Sequence, residues 1–268
     1  MIGFFDSGLG GLTILREVIK ALPKYTYCYL GDNKHAPYGH RSRQEIFEFT
    51  LLGVRKLFEK GAELVILGCN TSSSSALRRI QQEILPTEFP EKKVLGIIIP
   101  TAKEAPKISK TKKIGILATQ ATVRSKAYKK EIFKINPQIQ IFQQACPLLV
   151  PLIENGEIEN SKFEIVLKKY LEYLFRQNKN IDTLILGCTH YALIENKIKK
   201  FLPKKVSLIS QGKIIAKELK DYLKRHSEIE KKIDKSSQRE FFTTGRAEEV
   251  AKLIKVFYGE KIKKIKSV

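Results

Sequence analysis

Two cysteines, Cys69 and Cys188, stand in nearly the same sequence context in distant parts of the chain. The segments LVILGCNT (64–71) and TLILGCTH (183–190) each contain an apolar run, a Gly-Cys pair and two residues that can form hydrogen bonds. A short continuous apolar run is typical of a strand in a parallel sheet covered on both faces. Ligands of open α/β sheets bind at the carboxyl ends of strands, so both thiols are expected at such ends. The repetition predicts two similar domains whose cysteines face one cleft.

A thiol at a strand end can serve several purposes. Packing is the commonest role of a buried cysteine, and it is the interpretation for Cys28 and Cys146, which lack the shared context. A disulfide between Cys69 and Cys188 is disfavoured by the reducing compartment that the wide cysteine spacing indicates. Zinc is disfavoured because neither thiol has a second cysteine close by and His190 is the only histidine near either, so no metal site is expected. A cysteine hydrolase would need one thiolate and a histidine base, which leaves the second motif unexplained.

Two thiols facing each other suit inversion of a stereocentre by proton transfer. One group removes a proton from one face of the carbon, and the other delivers a proton to the opposite face. A thiolate and a thiol can coexist near neutral pH, because the ordinary thiol pKa is about 8.5. The α-proton of an amino acid is weakly acidic, so the carbanion-like transition state would need hydrogen-bond donors and tight orientation.

Other polar residues follow predicted strands. Asp6 and Ser7 come directly after the first strand in FDSGLGG, whose glycines let backbone approach a ligand and open a helix that favours anions. Asp32 ends the second strand, and Tyr38 lies in the turn sequence PYG. Glu154 lies in the polar turn of VPLIENGEIE. Taken singly, each is also explained by a tight turn, a packed turn or a surface carboxylate.

The order of elements is strand then helix, repeatedly, which predicts an α/β fold with mostly parallel sheets flanked by helices. The predicted strands are 2–5, 26–30, 63–68, 94–98, 113–118, 139–144, 182–187, 205–210 and 240–243. Segment 43–60 has apolar residues close to a 3.6-residue period and Gly61 as its stop. The alternation of predicted strands and helices is interrupted near Pro100. We therefore expect a first domain of residues 1–98 plus about 210–268, and a second of residues 99–209.

The net charge of +21 raises the question of nucleic-acid binding. The lysine-rich runs lie far apart, at 107–113, 199–205, 231–235 and 261–266. No aromatic-interleaved basic strand or zinc-finger spacing accompanies them. A solvated basic surface is the favoured interpretation, and a nucleic-acid partner is not expected.

No apolar run approaches the roughly 20 residues that a membrane helix needs. The start, MIGFFDSGLGG, lacks the basic residues and long apolar stretch of a signal peptide. A cytoplasmic protein without a membrane partner is expected.

Together these motifs resemble those of glutamate racemases, the cofactor-independent amino acid racemases of bacterial cell-wall synthesis. The matching segments are FDSGLGGLTIL (5–15), GDNKHAPYG (31–39), GCNTSS (68–73), CPLLVPLIENG (146–156), GCTHYAL (187–193) and FFTTG (241–245). The resemblance covers nearly the whole chain in order. It implies two α/β domains related by a pseudo-twofold axis, an active site in the cleft between them, glutamate as substrate, no cofactor and a homodimer.

The resemblance also implies roles for single residues. Cys69 and Cys188 would be the catalytic acid/base pair, with Asp32 and Glu154 as supporting acid/base groups. The implied substrate-binding residues are Asp6, Ser7, Tyr38, Gly39, Asn70, Thr71, Thr189 and His190. Carboxylates near Cys69 would raise its pKa, and a protonated His190 would act on Cys188, so the two half-reactions are expected to differ.

Two alternatives stay open. The substrate could be aspartate or a related acid, because side-chain length cannot be measured from a sequence. A function of another class would be binding of nucleic acid or DNA gyrase through the basic surface.

Overall fold

The computed structural model describes residues 1–260, 262 and 264–268, and strands and helices alternate along it. The strands of this described part are Ile2–Asp6 (β1), Tyr27–Gly31 (β2), Leu64–Leu67 (β3), Lys93–Gly96 (β4), Lys113–Ala118 (β5), Gln140–Ala145 (β6), Thr183–Gly187 (β7), Ser207–Ile209 (β8), Arg239–Thr243 (β9) and Lys266–Ser267 (β10).

The α-helices follow the strands and cover the sheets. They are Leu12–Ala21 (α1), Arg43–Glu59 (α2), Asn70–Ser75 (α3), Leu77–Arg79 (α4), Leu85–Glu88 (α5), Ile98–Ile108 (α6), Gln120–Ser125 (α7), Ala127–Ile135 (α8), Leu149–Glu154 (α9), Ser161–Gln177 (α10), Glu195–Phe201 (α11), Gly212–Arg225 (α12), Ser227–Glu230 (α13) and Ala247–Tyr258 (α14). Short 3₁₀ turns at Tyr38–His40, Glu157–Glu159 and Thr189–Ile194 and a π-helical turn at Ile80–Ile84 complete the helical segments. None of the described helices is long and apolar enough to cross a membrane.

The strands form two sheets. The first sheet has the order β10-β9-β2-β1-β3-β4 and the second has the order β6-β5-β7-β8. Neighbouring strands pair in parallel in both sheets. Asp6 is in register with Gly31, and Ala118 is in register with Gly187, so carboxyl ends lie together at one edge of each sheet. The expectation of α/β architecture with mostly parallel sheets is confirmed.

Alternating side chains of the buried strands fill separate cores. Phe4 of β1 belongs to a large cluster that also contains Leu184 and Leu186 of β7. Its neighbour Phe5 points to the opposite face of the first sheet, into a second cluster, and Ile185 of β7 belongs to a third. This two-residue alternation explains why the strands are apolar at every position. The shared cluster joins the two sheets through one continuous apolar core.

Most predicted elements are present within two residues of their expected bounds. The predicted strand 94–98 ends early, at Gly96, because α6 already begins at Ile98. Pro100 lies in the first turn of α6, where proline is tolerated. Helix α2 ends at Glu59, one residue before the predicted bound, and Gly61 beyond it has a φ of 89°. Strand β10 was not predicted, and the basic run 261–266 that overlaps it includes Lys261 and Lys263, which lie outside the described residues.

The chain returns to the first sheet near its end. Strand β9 pairs with β2, and α12 packs against α1. On this basis we keep the division into 1–98 plus about 210–268 and 99–209 as a proposal about the domains.

Candidate active site

Carboxyl ends of strands from both sheets converge on a narrow cavity of about 30 Å³. Both thiols of the repeated motif line it: Cys69 after β3 and Cys188 after β7. The other predicted site residues that line it are Ser7, Tyr38, Gly39, Asn70, Thr71, Glu154, Thr189 and His190. All four cysteines are free thiols. Parallel register accounts for the convergence, because it brings the carboxyl ends of neighbouring strands to one edge.

Cys69 is held at the start of α3, where it is 5% exposed. Its Sγ lies 3.4 Å from Ser7 Oγ, and the backbone N–H of Ser72 points to it at 3.5 Å. Burial, followed by the nearby carboxylate of Asp6, raises the pKa of the Cys69 thiol, while the contacts with Ser7 and Ser72 lower it. The balance is a raised pKa, because two hydrogen bonds do not replace the water that a thiolate loses on burial.

Cys188 has a different neighbour, the imidazole of His190. Cys188 Sγ lies 3.8 Å from His190 Nδ1, and His190 Nε2 lies 2.8 Å from Glu154 Oε1. Burial alone would lower the pKa of His190, but hydrogen bonds to Cys188 and Glu154 raise it well above its ordinary value. The raised pKa favours the protonated form of this imidazole, which lies between a sulfur and a carboxylate.

Asp6 is buried and does not line the cavity. One carboxylate oxygen accepts the N–H of Gly8 at 2.8 Å, and the other has no hydrogen-bond partner among the described residues. Burial raises the pKa of Asp6 to about 6, although the charge of His190 and backbone hydrogen bonds oppose the rise. Asp6 acts on the site through its electric field in this structure, and its expected contact with substrate stays a prediction.

Asp32 also lies outside the cavity lining and supports Tyr38. The Tyr38 hydroxyl donates to Asp32 Oδ2, and His35 Nδ1 lies 2.9 Å from Asp32 Oδ1. Burial and then the Asp32 carboxylate raise the pKa of Tyr38 far above its ordinary value, so the phenol keeps its proton. Asp32 therefore fixes the aromatic ring that forms one wall of the cavity.

Gly10 permits close contact between the first-strand loop and the Cys188 motif. A Cβ at this position would lie 2.3 Å from Thr189 Oγ1 and 2.5 Å from His190 Nδ1. The Thr13 hydroxyl in the same segment lies 3.1 Å from the carbonyl oxygen of Thr189. The glycines of FDSGLGG are expected to let backbone approach a ligand, and this stays a prediction. Gly10 itself lies against protein groups of the second thiol's motif.

Several lining residues were not predicted. Thr119 follows β5, and its hydroxyl lies 2.9 Å from that of Thr71. Its position directly after the run KIGILA was the available signal, because that too is the end of a parallel strand. Gln120 and Pro147 also line the cavity. Cys146, predicted as a packing residue, belongs to the shared apolar core and touches the cavity as well.

Two parallel sheets each present one free thiol to a common cavity, and ionisable groups lie beside both thiols. A sequence profile described as Asp/Glu/Hydantoin racemase matches residues 10–219. The chain is 38% identical to a glutamate racemase of Aquifex aeolicus over 97% of this chain and 95% of that one.

Solved structures agree with this result. A glutamate racemase isoform of Bacillus anthracis superposes with a TM-score of 0.90 at 34% identity, covering 100% of this chain and 97% of that chain. A glutamate racemase of Francisella tularensis in complex with D-glutamate gives 0.88 at 33% identity, with coverage of 100% and 96%. The chain belongs to the Asp/Glu/hydantoin racemase family, and it is an amino acid racemase. The resemblance to glutamate racemases seen in the sequence motifs is confirmed.

Proposed function

We propose that this enzyme interconverts L- and D-glutamate, without a cofactor, by proton transfer between Cys69, the α-carbon and Cys188. The observation that carries the proposal is the pair of free thiols from two sheets lining one cavity. Relatives named glutamate racemase over almost the full length support the choice of substrate.

The proposed reaction needs one thiolate and one thiol at the start. The thiolate removes the α-proton from one face, and the electron pair of the broken C–H bond stays on the α-carbon. The opposite thiol then gives its proton to that carbon from the other face. The two sulfurs finish with exchanged protonation states, which are the states needed for the reverse reaction.

His190 compensates negative charge on the Cys188 side. Its imidazolium lies 3.8 Å from Cys188 Sγ and is itself supported by Glu154. On the Cys69 side, the hydroxyl of Ser7 and the N–H of Ser72 are neutral donors. Hydroxyl groups of Thr71 and Thr119 would orient the substrate carboxylates, because they line the same cavity.

The biological setting belongs to the same proposal. D-glutamate made in the cytoplasm would supply peptidoglycan synthesis, as the family resemblance implies, and the enzyme would act as a homodimer. Analytical ultracentrifugation of the purified chain tests the dimer, and a single monomeric species at micromolar concentration would contradict it.

The reaction is tested by incubating the enzyme with L-glutamate in heavy water under reducing conditions. Loss of optical rotation together with deuterium at the α-carbon is the expected result. No loss with glutamate would refute the proposal. Loss of optical rotation with L-aspartate and not with L-glutamate would establish the alternative substrate. Formation of D-glutamate without deuterium at the α-carbon would exclude proton transfer.

One observation favours a second candidate function, binding of a nucleic-acid backbone. A cleft of about 620 Å³ beside the catalytic cavity contains a cluster of arginines, although lysine dominates the chain as a whole. These arginines are Arg41, Arg43, Arg78, Arg79 and Arg124. Gel retardation of duplex DNA at physiological salt tests this function, and binding that disappears at modest salt would indicate charge alone.

A further inference from the structure

A closed ring of hydrogen bonds adjoins Cys69. The amide nitrogen of Asn70 donates to Gln211 Oε1 at 2.7 Å, and Gln211 Nε2 donates to the Tyr128 hydroxyl oxygen at 3.0 Å. The Tyr128 hydroxyl donates to Asn70 Oδ1 at 2.7 Å, which closes the ring. All three residues are buried: Asn70 is 2% exposed, Gln211 is 3% exposed and Tyr128 is 0% exposed. Because every member both donates and accepts, the orientation of both amides is fixed.

The ring leaves one donor of Asn70 for the cavity. Gln211 uses its second N–H toward Thr101 Oγ1 at 3.0 Å, and Thr101 donates onward to the carbonyl of Ile97 at 2.8 Å. Asn70 has two N–H groups and gives only one of them to Gln211. Asn70 also lines the catalytic cavity. Its remaining N–H is therefore an amide donor available to a ligand there.

The members of the ring come from both sides of the cavity. Asn70 is bonded to Cys69, which follows β3 of the first sheet. Gln211 follows β8, the neighbour of β7, which leads to Cys188. Tyr128 lies on α8, after the second sheet's β5. The ring thus connects the chain beside one thiol to the strand pair that carries the other.

We propose that Gln211 and Tyr128 are positioning residues for the racemisation. They hold Asn70 so that Cys69 keeps a fixed separation from Cys188 and one amide N–H faces the substrate. This inference rests on the proposed two-thiol reaction. Loss of either partner would leave buried polar groups of Asn70 unpaired, and the start of α3 would then shift to recover hydrogen bonds.

The test compares Gln211→Met and Tyr128→Phe with Tyr27→Phe as a matched control. Tyr27 is also buried, and its hydroxyl donates at 2.8 Å to the carbonyl of Leu22, at the opposite end of β2 from the cavity. We expect kcat for glutamate to fall by about 100-fold in Gln211→Met and by about tenfold in Tyr128→Phe, since small misplacements of reacting groups cost this much. The control should lose thermal stability and keep its kcat and KM.

A second measurement does not depend on turnover. The ratio of iodoacetamide alkylation rates at Cys69 and Cys188, followed by mass spectrometry, reports the local environment of each thiol. Both ring variants should change this ratio several-fold, while Tyr27→Phe should not. Ring variants that match the control in both kcat and alkylation ratio would overturn the inference. If the wild-type enzyme fails to racemise glutamate, the proposed function fails, and the alkylation ratio alone still decides whether the ring positions Cys69.

Discussion

The two thiols share a sequence motif but lie in opposite electrostatic surroundings. On the Cys69 side, the charged neighbour is the buried carboxylate of Asp6, and it adds to the rise in the thiol's pKa that burial causes. On the Cys188 side, the neighbour is His190, whose pKa is raised by Cys188 and Glu154 despite burial. The surroundings of Cys69 therefore disfavour negative charge on its sulfur, whereas His190 can compensate negative charge on the sulfur of Cys188.

This difference bears on the two directions of reaction. The equilibrium constant between enantiomers is one, so kcat/KM must be equal in both directions whatever the two sides look like. The asymmetry can appear only in separate kcat and KM values and in isotope effects measured in each direction. Unequal primary deuterium isotope effects for L- and D-glutamate are what the two environments predict.

Removal of either thiol tests the comparison most strongly. Cys69→Ala and Cys188→Ala should each lower kcat by about 10³-fold or more, because each would lose one of the two proposed acid/base groups. Circular dichroism with L- and D-glutamate measures the loss, and near-wild-type far-UV spectra control for folding. Normal activity in either variant would contradict the two-thiol scheme.

A methyl group at Gly10 would disturb the contact between the two sides. Gly10→Ala places its Cβ within 2.5 Å of His190 Nδ1, so the first-strand loop or His190 must move. We expect kcat to fall by about 100-fold, as for other small misplacements of catalytic groups. Gly61→Asn is the matched control, since nothing lies within 4 Å of a Cβ there and Asn tolerates positive φ. Equal activity of the two variants would show that the contact is unimportant.

Neutralising Glu154 should weaken the Cys188 side specifically. Glu154→Gln removes the negative partner that raises the pKa of His190. A histidine with a raised pKa contributes stability that is fully present below its unfolded pKa of about 6.5 and is lost as pH rises through its folded pKa. The stability of the wild type should therefore fall across the alkaline range, and the variant should lose less there. Thermal unfolding between pH 6 and about pH 10 measures stability against pH for the wild type and the variant. Parallel curves would contradict the conclusion that Glu154 raises the pKa of His190. We also expect roughly tenfold lower kcat.

Asp6→Asn should have the smallest effect of these substitutions, and it should stabilise the enzyme rather than weaken it. The pKa of Asp6 is raised from 3.8 to about 6, so its contribution to stability is greatest below pH 3.8 and is lost as pH rises through about 6. The variant should gain roughly 3 kcal/mol over the wild type at pH 7 and nothing at acid pH. Urea unfolding at both pH values checks this. The pKa of Cys69 should fall as well, so the acid limb of the pH profile of kcat/KM should move to lower pH. If this limb does not move, Asp6 does not act on Cys69.

Much of the fold could be predicted because the strands are continuous apolar runs that end in recognisable turns. The segment after Gly96 was predicted less well, because isoleucines suit a strand and a helix equally and Pro100 is acceptable at the start of a helix. Cys69, Cys188 and the residues beside them were found because the motif repeats. Thr119 had one local signal, its position directly after the strand run KIGILA, whereas nothing local distinguishes Gln211 from a glutamine outside the site.

The sequence by itself determined the parallel α/β fold, the paired thiols and the family, since these depend on local patterns and motifs. The tertiary structure decided which charges face each thiol. Asp6 and Glu154 come from segments far in sequence from Cys69 and His190, whose pKa values they raise, and Asp6 does so from a fully buried position. The ring of Asn70, Gln211 and Tyr128 likewise joins residues that are distant in sequence. Electrostatic and hydrogen-bonding effects act through space, so they appear only once the chain has folded.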